Sequence, residues 1–232
     1  MVKIAVNGAL GRMGGRVVAL AEASKDFEIT GKFDASGPSR LPETALKMHG
    51  KGVLIDFSSP AGSREAALVA QQNGWALVMG TTGLDAEDQR VLETASKKVA
   101  VVVSSNMSIG VNVMLALLEL ACKKLPKGFI IEMSESHHVH KKDAPSGTAL
   151  MLAKRIAEAR PMDLTVLSRS IRSIREGEVV GDHTVLFDGP EETLELRHHA
   201  KSRDIFAQGA LLAAKFAASA KPGLYSMADI LK

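Results

Sequence analysis

The segment "VKIAVNGALGRMG", Val2–Gly14, decides the fold that we expect for the chain. Its apolar run Val2–Val6 predicts a buried β-strand. Gly8, Gly11 and Gly14 follow in a G-x-x-G-x-x-G spacing, and the helical pattern "RVVALAEA" comes next. Glycines at such a turn let the backbone approach a phosphate closely, and the helix N-terminus attracts the negative charge. The segment therefore predicts a nucleotide-binding loop, although a plain strand-to-helix turn can have the same glycines.

The second predicted strand, Phe27–Asp34, supports the nucleotide interpretation. It ends in an acid twenty residues past Gly14. In a dinucleotide-binding unit an acidic side chain at this place binds the ribose hydroxyls of adenosine. Because the glycine spacing is a variant of the usual G-x-G-x-x-G, the prediction depends on this context, and Asp34 is the predicted ribose ligand.

Strand and helix patterns alternate through residues 1–106, which predicts an α/β fold of the Rossmann type with a doubly wound parallel sheet. From residue 107 the pattern changes to a long apolar helix, a strand, a second helix and alternating segments around a Gly-Pro turn. We expect residues 107–203 to form a smaller α+β domain with a mixed or antiparallel sheet. The Ala-rich helix that follows is expected to return to the first domain, so that residues 204–232 complete it.

Composition and charge argue against several classes of protein. The 232 residues have a net charge of +3 and 4% aromatic residues, which disfavours a nucleic-acid partner and leaves a small anionic ligand open. The single cysteine, Cys122, permits no disulfide within the chain, as is usual in a reducing cytoplasm. The chain shows no signal-peptide pattern, and its longest apolar run, "VMLALLELAC", is too short to span a bilayer. We therefore expect a cytoplasmic protein with no membrane partner.

Two further loops follow predicted strands of the first domain: "MGTTG", Met79–Gly83, and "SSNM", Ser104–Met107. Ligands of doubly wound sheets bind at the carboxyl ends of the strands. Both loops are therefore candidates for cofactor contacts, although Gly, Ser and Asn also form ordinary turns. The candidate residues are Gly80, Thr81, Thr82, Ser104, Ser105, Asn106 and Met107.

The stretch "ESHHVHKKDAPSGTA", Glu135–Ala149, allows three interpretations. Its histidines can bind a metal, but no cysteine or carboxylate stands at a zinc-site spacing, and two lysines add positive charge, so we expect no metal. A solvated loop is the second interpretation. The third, which we favour, is acid–base chemistry by histidine and Lys141 beside an anion site. Ser146 is the predicted N-cap of the next helix, where the N–H groups of Gly147 and Thr148 suit a carboxylate. The histidines are His137, His138 and His140.

Seven motifs, in order along the whole chain, resemble the 4-hydroxy-tetrahydrodipicolinate reductase (dihydrodipicolinate reductase) family. They are "GALGRMG", "IDFSSP", "GTTG", "SSNMSIGVN", "ESHHVHKKDAPSGTA", "VVGDHTVLF" and "KPGLYSM". The resemblance implies a homotetramer of two-domain subunits, with a dinucleotide-binding Rossmann domain over 1–106 and 204–232 and a substrate-binding and oligomerisation domain over 107–203. The implied activity is NAD(P)H-dependent reduction of 4-hydroxy-tetrahydrodipicolinate to tetrahydrodipicolinate, with loss of water, in lysine and diaminopimelate biosynthesis.

The resemblance also implies roles for individual residues. His137 is the implied proton donor and acceptor, and Lys141 the implied proton donor. Contacts to a small dicarboxylate substrate are implied for His138, Gly147 and Thr148. The implied nucleotide contacts are Gly8, Ala9, Leu10, Gly11, Arg12, Met13, Asp34, Gly80, Thr81, Thr82, Ser104, Ser105, Asn106 and Met107.

The chain departs from the family pattern beside the ribose-binding acid. Many members have an arginine directly after that acid, where it pairs with the 2′-phosphate of NADP, but here Asp34 is followed by Ala35. Asp34 itself would repel the phosphate. We therefore predict a preference for NADH, although Arg12, Lys32 or Arg40 can still provide a positive charge for NADPH.

Two other functions stay open from the sequence. The first is another nicotinamide enzyme, such as an aspartate-dehydrogenase-like protein, which the His-His-x-x-Lys spacing before Ser-Gly-Thr disfavours. The second is a regulatory nucleotide-binding protein that has lost catalysis, which the presence of both His137 and Lys141 disfavours. Arg203 is a further candidate cation for the substrate, although it can equally be structural.

Overall fold

The computed structural model describes residues 1–37, Leu41 and 50–232, which divide into two units. The first unit consists of Met1–Ile109 with Arg203–Lys232, and the second of Gly110–Ser202. Arg40, named above as a possible phosphate ligand, lies outside the described residues. None of the described helices has both the length and the apolar character needed to cross a bilayer.

The strands in chain order are β1 Val2–Asn7, β2 Phe27–Phe33, β3 Val53–Asp56, β4 Ala76–Met79, β5 Ala100–Val103, β6 Ile130–His137, β7 Arg172–Arg175, β8 Asp182–Asp188, β9 Thr193–His199 and β10 Gly223–Tyr225. The helices of the described residues are α1 Arg12–Glu22, α2 Pro60–Asn73, α3 Ala86–Ser96, α4 Ile109–Lys124, α5 Gly147–Ala159, α6 Leu164–Arg169, α7 Asp204–Ala217 and α8 Met227–Ile230.

A six-stranded parallel sheet with the order β10-β5-β4-β3-β1-β2 is the centre of the first unit. Strands β3 and β4 are buried along their whole length. Such continuous burial is expected where helices cover both faces of a sheet. Apolar residues of α1 and α7 pack in one core cluster, and those of α2 and α3 in the other. The predicted Rossmann-type, doubly wound sheet is confirmed.

The helix α7 belongs to the first unit. Its alanines share a core with the strands of the parallel sheet. Gly209 lets the helix approach the main chain closely, because a Cβ atom there would lie 1.7 Å from the carbonyl oxygen of Met107. The edge strand β10 was not predicted, because three residues are too few to show the alternation of apolar and polar residues that predicts a strand.

The second unit contains a mixed sheet with the order β7-β6-β8-β9, as expected. Strands β6 and β7 are parallel, and the other pairs are antiparallel. The apolar pattern "GFIIEMSE" predicts a strand over Gly128–Glu135, but β6 continues to His137 because Ser136 and His137 still pair with β7. Strand β7 and helix α6 were not predicted, because they are only four and six residues long.

Candidate functional site

The carboxyl ends of the parallel strands in the first unit form one candidate site. The glycine loop follows β1, and β1 lies between β2 and β3, where the order of the strands reverses. Ligands of doubly wound sheets bind at this switch point. The loops after β2, β4 and β5 emerge at the same edge, so the structure brings the predicted nucleotide contacts to one edge of the sheet.

The close turn of the glycine loop requires residues without a Cβ atom. Gly8 has a φ of 77°, in the region that favours glycine, and a Cβ atom there would lie 2.2 Å from the carbonyl oxygen of Phe57. A Cβ atom on Gly14 would lie 2.1 Å from the carbonyl oxygen of Gly8. Among the described residues no side chain caps the N-terminus of α1 at Gly11. Glycines thus allow the tight turn and leave this helix end open to an anion, which fits the pyrophosphate of a dinucleotide.

Asp34 lies beside the glycine loop, at the end of β2. One of its carboxylate oxygens accepts a hydrogen bond from the N–H of Leu10 at 3.1 Å. The other accepts from the hydroxyl and the N–H of Ser36 at 2.6 and 3.0 Å. These bonds, chiefly those from Ser36, hold the pKa of the Asp34 carboxyl below its usual value, so the group is an anion at neutral pH. Lys32 is paired with Glu22 at 2.6 Å.

A buried carboxylate that sequence reasoning missed links three strand ends of this edge. Asp56 is fully buried and accepts hydrogen bonds from Asn7 at 2.6 Å and from Thr81 at 2.6 Å. Ser58 and Ser63 also donate to it, each at 2.7 Å. These bonds connect β1, β3 and the loop after β4. The only sequence signal was the position of Asp56 at the end of an apolar strand.

The predicted nucleotide contacts differ in how exposed they are. Thr82 and Ser105 are exposed. In contrast, the Thr81 hydroxyl donates to Asp56 and accepts from the N–H of Ser58 at 2.9 Å, so its proton is already used within the fold. The side chain of Met107 belongs to the first core. The remaining candidates, Gly80, Ser104 and Asn106, lie in the same two loops.

The end of β6 in the second unit forms the other candidate site. Side chains along a strand point alternately to opposite faces of the sheet, so Met133, Glu135 and His137 lie on one face. Met133 belongs to the apolar core under that face, and the polar Glu135 and His137 follow it. Glu135 is 1% exposed and His137 8%. One carboxylate oxygen of Glu135 accepts a hydrogen bond from Nδ1 of His137. The other accepts from Nη2 of Arg175 at 2.9 Å.

Burial and charge shift the pKa values of this pair in definite directions. Burial acts to raise the pKa of the Glu135 carboxyl, but the hydrogen bonds from Arg175 and His137 outweigh burial and hold the pKa below its usual value. Burial lowers the pKa of His137, and the positive charges of Lys141 and Arg175 add to this, although Glu135 opposes them. Glu135 is therefore an anion and His137 a neutral imidazole near pH 7.

His183 connects His137 with the helix N-terminus that was predicted as an anion site. Its ring lies 5.2 Å from the ring of His137, edge to face, and its Nε2 lies 3.1 Å from Oγ of Ser146. Burial lowers the pKa of His183 to about 4, so it is neutral at pH 7. Ser146 is the N-cap of α5, as predicted, and accepts a hydrogen bond from the N–H of Ala149. Gly147 at the start of this helix is exposed.

The lysines and the remaining histidines of the stretch Glu135–Ala149 differ in their exposure and in their contacts. Lys141 is 23% exposed and pairs with Asp143 at 2.8 Å, whereas Lys142 is exposed. His138 is partly buried, and its ring lies 6.0 Å from that of His140. His140 is 74% exposed, and its Nε2 lies 3.6 Å from a carboxylate oxygen of Glu178. Thr148, the other predicted substrate contact, is partly buried.

Glu135, His137 and His183 lie close enough to share a metal ion, since one ligand atom of each lies within 4.8 Å of the others. Several contacts disfavour a cation there. Both oxygens of Glu135 already accept hydrogen bonds, and the positive charges of Arg175 and Lys141 act on the same group of residues. The cluster therefore fits acid–base chemistry better than metal binding.

Comparison with known proteins identifies the family. The model described as "Dihydrodipicolinate reductase, N-terminus" matches residues 2–107, and the one described as "Dihydrodipicolinate reductase, C-terminus" matches residues 110–231. The chain belongs to the dihydrodipicolinate reductase family. This membership decides against an aspartate-dehydrogenase-like enzyme, and it makes the chain a member of a family of oxidoreductases.

Members of the dihydrodipicolinate reductase family match this chain over its full length. It is 39% identical to the 4-hydroxy-tetrahydrodipicolinate reductase of Nitrosomonas eutropha, with 100% of this chain and 98% of that protein covered. Identity to the same enzyme of Burkholderia multivorans is 40%, with 99% of each covered. The dipicolinate-bound dihydrodipicolinate reductase of Paenisporosarcina sp. TG-14 has the same fold, with a TM-score of 0.83 and 24% identity over 97% of each chain.

Sequence reasoning missed three side chains around His137 in this member of the dihydrodipicolinate reductase family. Glu135 was quoted with the histidines but received no role. Arg175 lies on a strand that was not predicted, and His183 lies within the motif "VVGDHTVLF", which carried the resemblance only. The chain separation of 40 residues between Glu135 and Arg175 left no local pattern by which their contact could be found.

Proposed function

We propose that this chain reduces 4-hydroxy-tetrahydrodipicolinate to tetrahydrodipicolinate, with loss of water, in lysine and diaminopimelate biosynthesis. The observation that carries the proposal is the arrangement of the second unit. There His183 contacts both His137, the proposed acid–base residue, and Ser146, the N-cap of the helix proposed to bind an anion. Names of relatives about 40% identical over the full chain support the same substrate.

The first unit would hold the nicotinamide nucleotide. A bound nicotinamide supplies a hydride to the electrophilic carbon of the substrate. The N–H groups at the start of α1 would bind the pyrophosphate, and Asp34 the adenosine ribose. Main-chain groups of the loops after β4 and β5 would contact the rest of the nucleotide, because Thr81 and Met107 use their side chains within the fold.

The second unit would hold the substrate by its carboxylates. The N–H groups of Gly147 and Thr148, at the start of α5, suit one carboxylate, and His138 is the proposed further contact. The Paenisporosarcina relative was solved with dipicolinate bound, and this planar dicarboxylate supports a small dicarboxylate substrate for the chain as well. Two fixed carboxylates would leave the ring little freedom to turn, which favours reaction.

His137 and Lys141 would supply the proton that the reduced substrate needs. Lys141 carries a transferable proton on a cation, and Asp143 holds its side chain at 2.8 Å. His137 is buried and neutral near pH 7, which suits a group that takes up a proton and passes it on. The two residues thus form the proposed acid–base pair.

An absorbance assay at the nicotinamide band tests the proposal. The substrate is made in the cuvette from pyruvate and aspartate semialdehyde, and kcat/KM is measured with NADH and with NADPH. We expect oxidation of both nucleotides, with a preference for NADH because the exposed Ala35 follows the anionic Asp34. No oxidation of either nucleotide would favour a regulatory nucleotide-binding protein, and binding of NADH without turnover would establish it.

The proposal includes a cytoplasmic homotetramer. Ile130 is 64% and Leu194 39% exposed in the second sheet, and such exposed apolar groups support burial against another subunit. Light scattering on the purified protein measures the assembly, and a monomer at micromolar concentration would contradict it.

A further inference from the structure

We propose that Glu135 is a positioning residue that keeps the proton of neutral His137 on Nδ1, so that Nε2 is the nitrogen that exchanges a proton with the substrate. The proposal deepens the proposed function and rests on it, since it concerns how His137 handles the proton. It follows from the hydrogen bonds of the side chains around His137 in the second unit.

The contacts of Glu135 decide which nitrogen of His137 carries the proton. An ionised carboxylate can only accept hydrogen bonds, so Nδ1 of His137 must be the donor in their short contact. In the neutral imidazole the second nitrogen, Nε2, then has a lone pair and acts as the base. In the Ser-His-Asp triad a buried carboxylate holds the histidine base in its tautomer and orientation in the same way.

Arg175 fixes the carboxylate in turn. Its Nη2 donates to the second oxygen of Glu135 at 2.9 Å and to the main-chain oxygen of Asp143 at 2.5 Å, and its Nη1 donates to the main-chain oxygen of Ile174 at 2.7 Å. The carboxylate therefore cannot turn without breaking a charged hydrogen bond in a buried place. By holding the carboxylate of Glu135 in place, Arg175 also fixes the orientation of the His137 ring.

The space beside Nε2 is also consistent with proton exchange. A Cβ atom on Gly181 would lie 3.0 Å from Nε2 of His137, closer than side-chain contacts usually come. Glycine at this position thus leaves the approach to Nε2 uncrowded, whereas Nδ1 on the other side of the ring is bound to Glu135.

The variant Glu135→Gln tests the tautomer directly. Arg175 can only donate, so the amide oxygen of the introduced glutamine must face Arg175, and its NH₂ group then faces Nδ1 of His137. The neutral imidazole is forced into the Nε2–H tautomer, in which Nε2 is no longer a base. We expect kcat to fall about a hundredfold, while the KM for NADH changes little, because the first unit is untouched.

Nitrogen-15 NMR of labelled histidines provides a readout that a merely structural role would not move. The signals of His137 are assigned from their loss in His137→Gln. We expect the Nδ1–H tautomer in the wild type and the Nε2–H tautomer in Glu135→Gln, measured near pH 7. An Nε2–H tautomer in the wild type would overturn the proposal, and this measurement does not depend on the folding of any variant.

A double-mutant cycle with Arg175→Met separates the effect of the orientation of the introduced amide from the effect of losing the charge of Glu135. Without Arg175, the amide oxygen of the glutamine introduced by Glu135→Gln can turn toward Nδ1 of His137 and restore the Nδ1–H tautomer. We expect Glu135→Gln to lower kcat about a hundredfold in the wild type but only about tenfold or less in the Arg175→Met background. Equal losses in both backgrounds would overturn the proposal.

Glu176→Gln is the matched control. Glu176 is exposed, and it accepts a hydrogen bond from the neighbouring Ser136 at 2.8 Å, not from His137. We expect kcat close to that of the wild type. The pH profile is recorded with all variants, because Glu135, Arg175, His183 and Lys141 act on His137 from the surrounding strands and loop.

The outcomes distinguish this inference from the proposed function. If the wild type oxidises neither nucleotide with the substrate, the proposed function fails, while the NMR spectra still decide the tautomer of His137. If the wild type is active and Glu135→Gln keeps its kcat, the proposed function stands and the role of Glu135 is refuted.

Discussion

The two candidate sites of this chain differ in the groups that form them. We call the site at the edge of the parallel sheet the main-chain site and the site at the end of β6 the side-chain site. The site at the edge of the parallel sheet consists largely of main chain, and its glycines make room for backbone and ligand. The site at the end of β6 consists of side chains, in which Glu135, His137 and His183 bind or contact one another and Arg175 fixes the carboxylate. The first kind of site is encoded in a short stretch of sequence, whereas the second depends on partners that the fold brings together.

The side-chain site should lose most when its proton donor is removed. We expect Lys141→Ala to lower kcat by about a hundredfold to a thousandfold, within the range of about a hundredfold to ten-thousandfold for a positioned acid or base. The dissociation constant for NADH, measured by calorimetry, should change little, because Lys141 lies in the second unit and the glycine loop in the first. Lys142→Ala, which removes the exposed neighbouring lysine, is the matched control. If Lys141→Ala mainly weakens NADH binding, Lys141 belongs to the nucleotide site instead.

A methyl group in the glycine loop of the main-chain site should lower both the stability of the protein and its affinity for NADH. We expect Gly14→Ala to lower the free energy of unfolding by about 2 to 3 kcal/mol, because its Cβ would stand 2.1 Å from a main-chain oxygen that cannot move aside cheaply. NADH binding should weaken with it. The adjacent Gly15→Ala is the control, since its Cβ would lie 3.6 Å from the nearest atom and alanine favours the helix. Urea unfolding measures both, and equal stabilities would contradict the close approach.

The same contrast explains what the sequence could predict. The loop from Gly8 to Gly14 and the N-cap at Ser146 were predictable, because each acts through its own or neighbouring main chain. Asp34 was predictable because it ends the second strand at a fixed distance from the loop. The end of β6 was misplaced by two residues, since its last pairs depend on β7, which the sequence pattern did not reveal. The buried Asp56 and the partners of Glu135 were missed for a related reason. The hydrogen bonds from Asn7 and Thr81 to Asp56 join residues 49 and 25 apart, and the hydrogen bond from Arg175 to Glu135 joins residues 40 apart.

The side-chain site should also make the protein sensitive to acid. Burial lowers the pKa of His183 to about 4 in the folded state, so the unfolded chain binds its proton more readily, and stability falls as the pH drops from about 6.5 toward 4. Between pH 7 and pH 5 we expect this one group to account for a loss of about 2 kcal/mol in the free energy of unfolding.

Urea unfolding of His183→Gln at the two pH values checks this expectation. Gln can keep a hydrogen bond to Ser146, and the variant should lose less stability on acidification than the wild type. His140→Gln, at an exposed histidine, is the control and should behave as the wild type does. An unchanged acid sensitivity in His183→Gln would show that other groups cause it.

The smallest effect is expected where the main-chain site selects its nucleotide. Ala35 is exposed and follows Asp34, whose two oxygens are held by Leu10 and Ser36. An arginine there can pair with a 2′-phosphate without displacing Asp34, and we expect Ala35→Arg to raise kcat/KM for NADPH about tenfold, the gain of one charged hydrogen-bonded pair. Ala35→Gln has similar reach without the charge and should leave the ratio of NADPH to NADH efficiency nearly unchanged. A wild type that already prefers NADPH strongly would show that another cation, such as Arg12, serves the phosphate, and the preference for NADH would then be wrong.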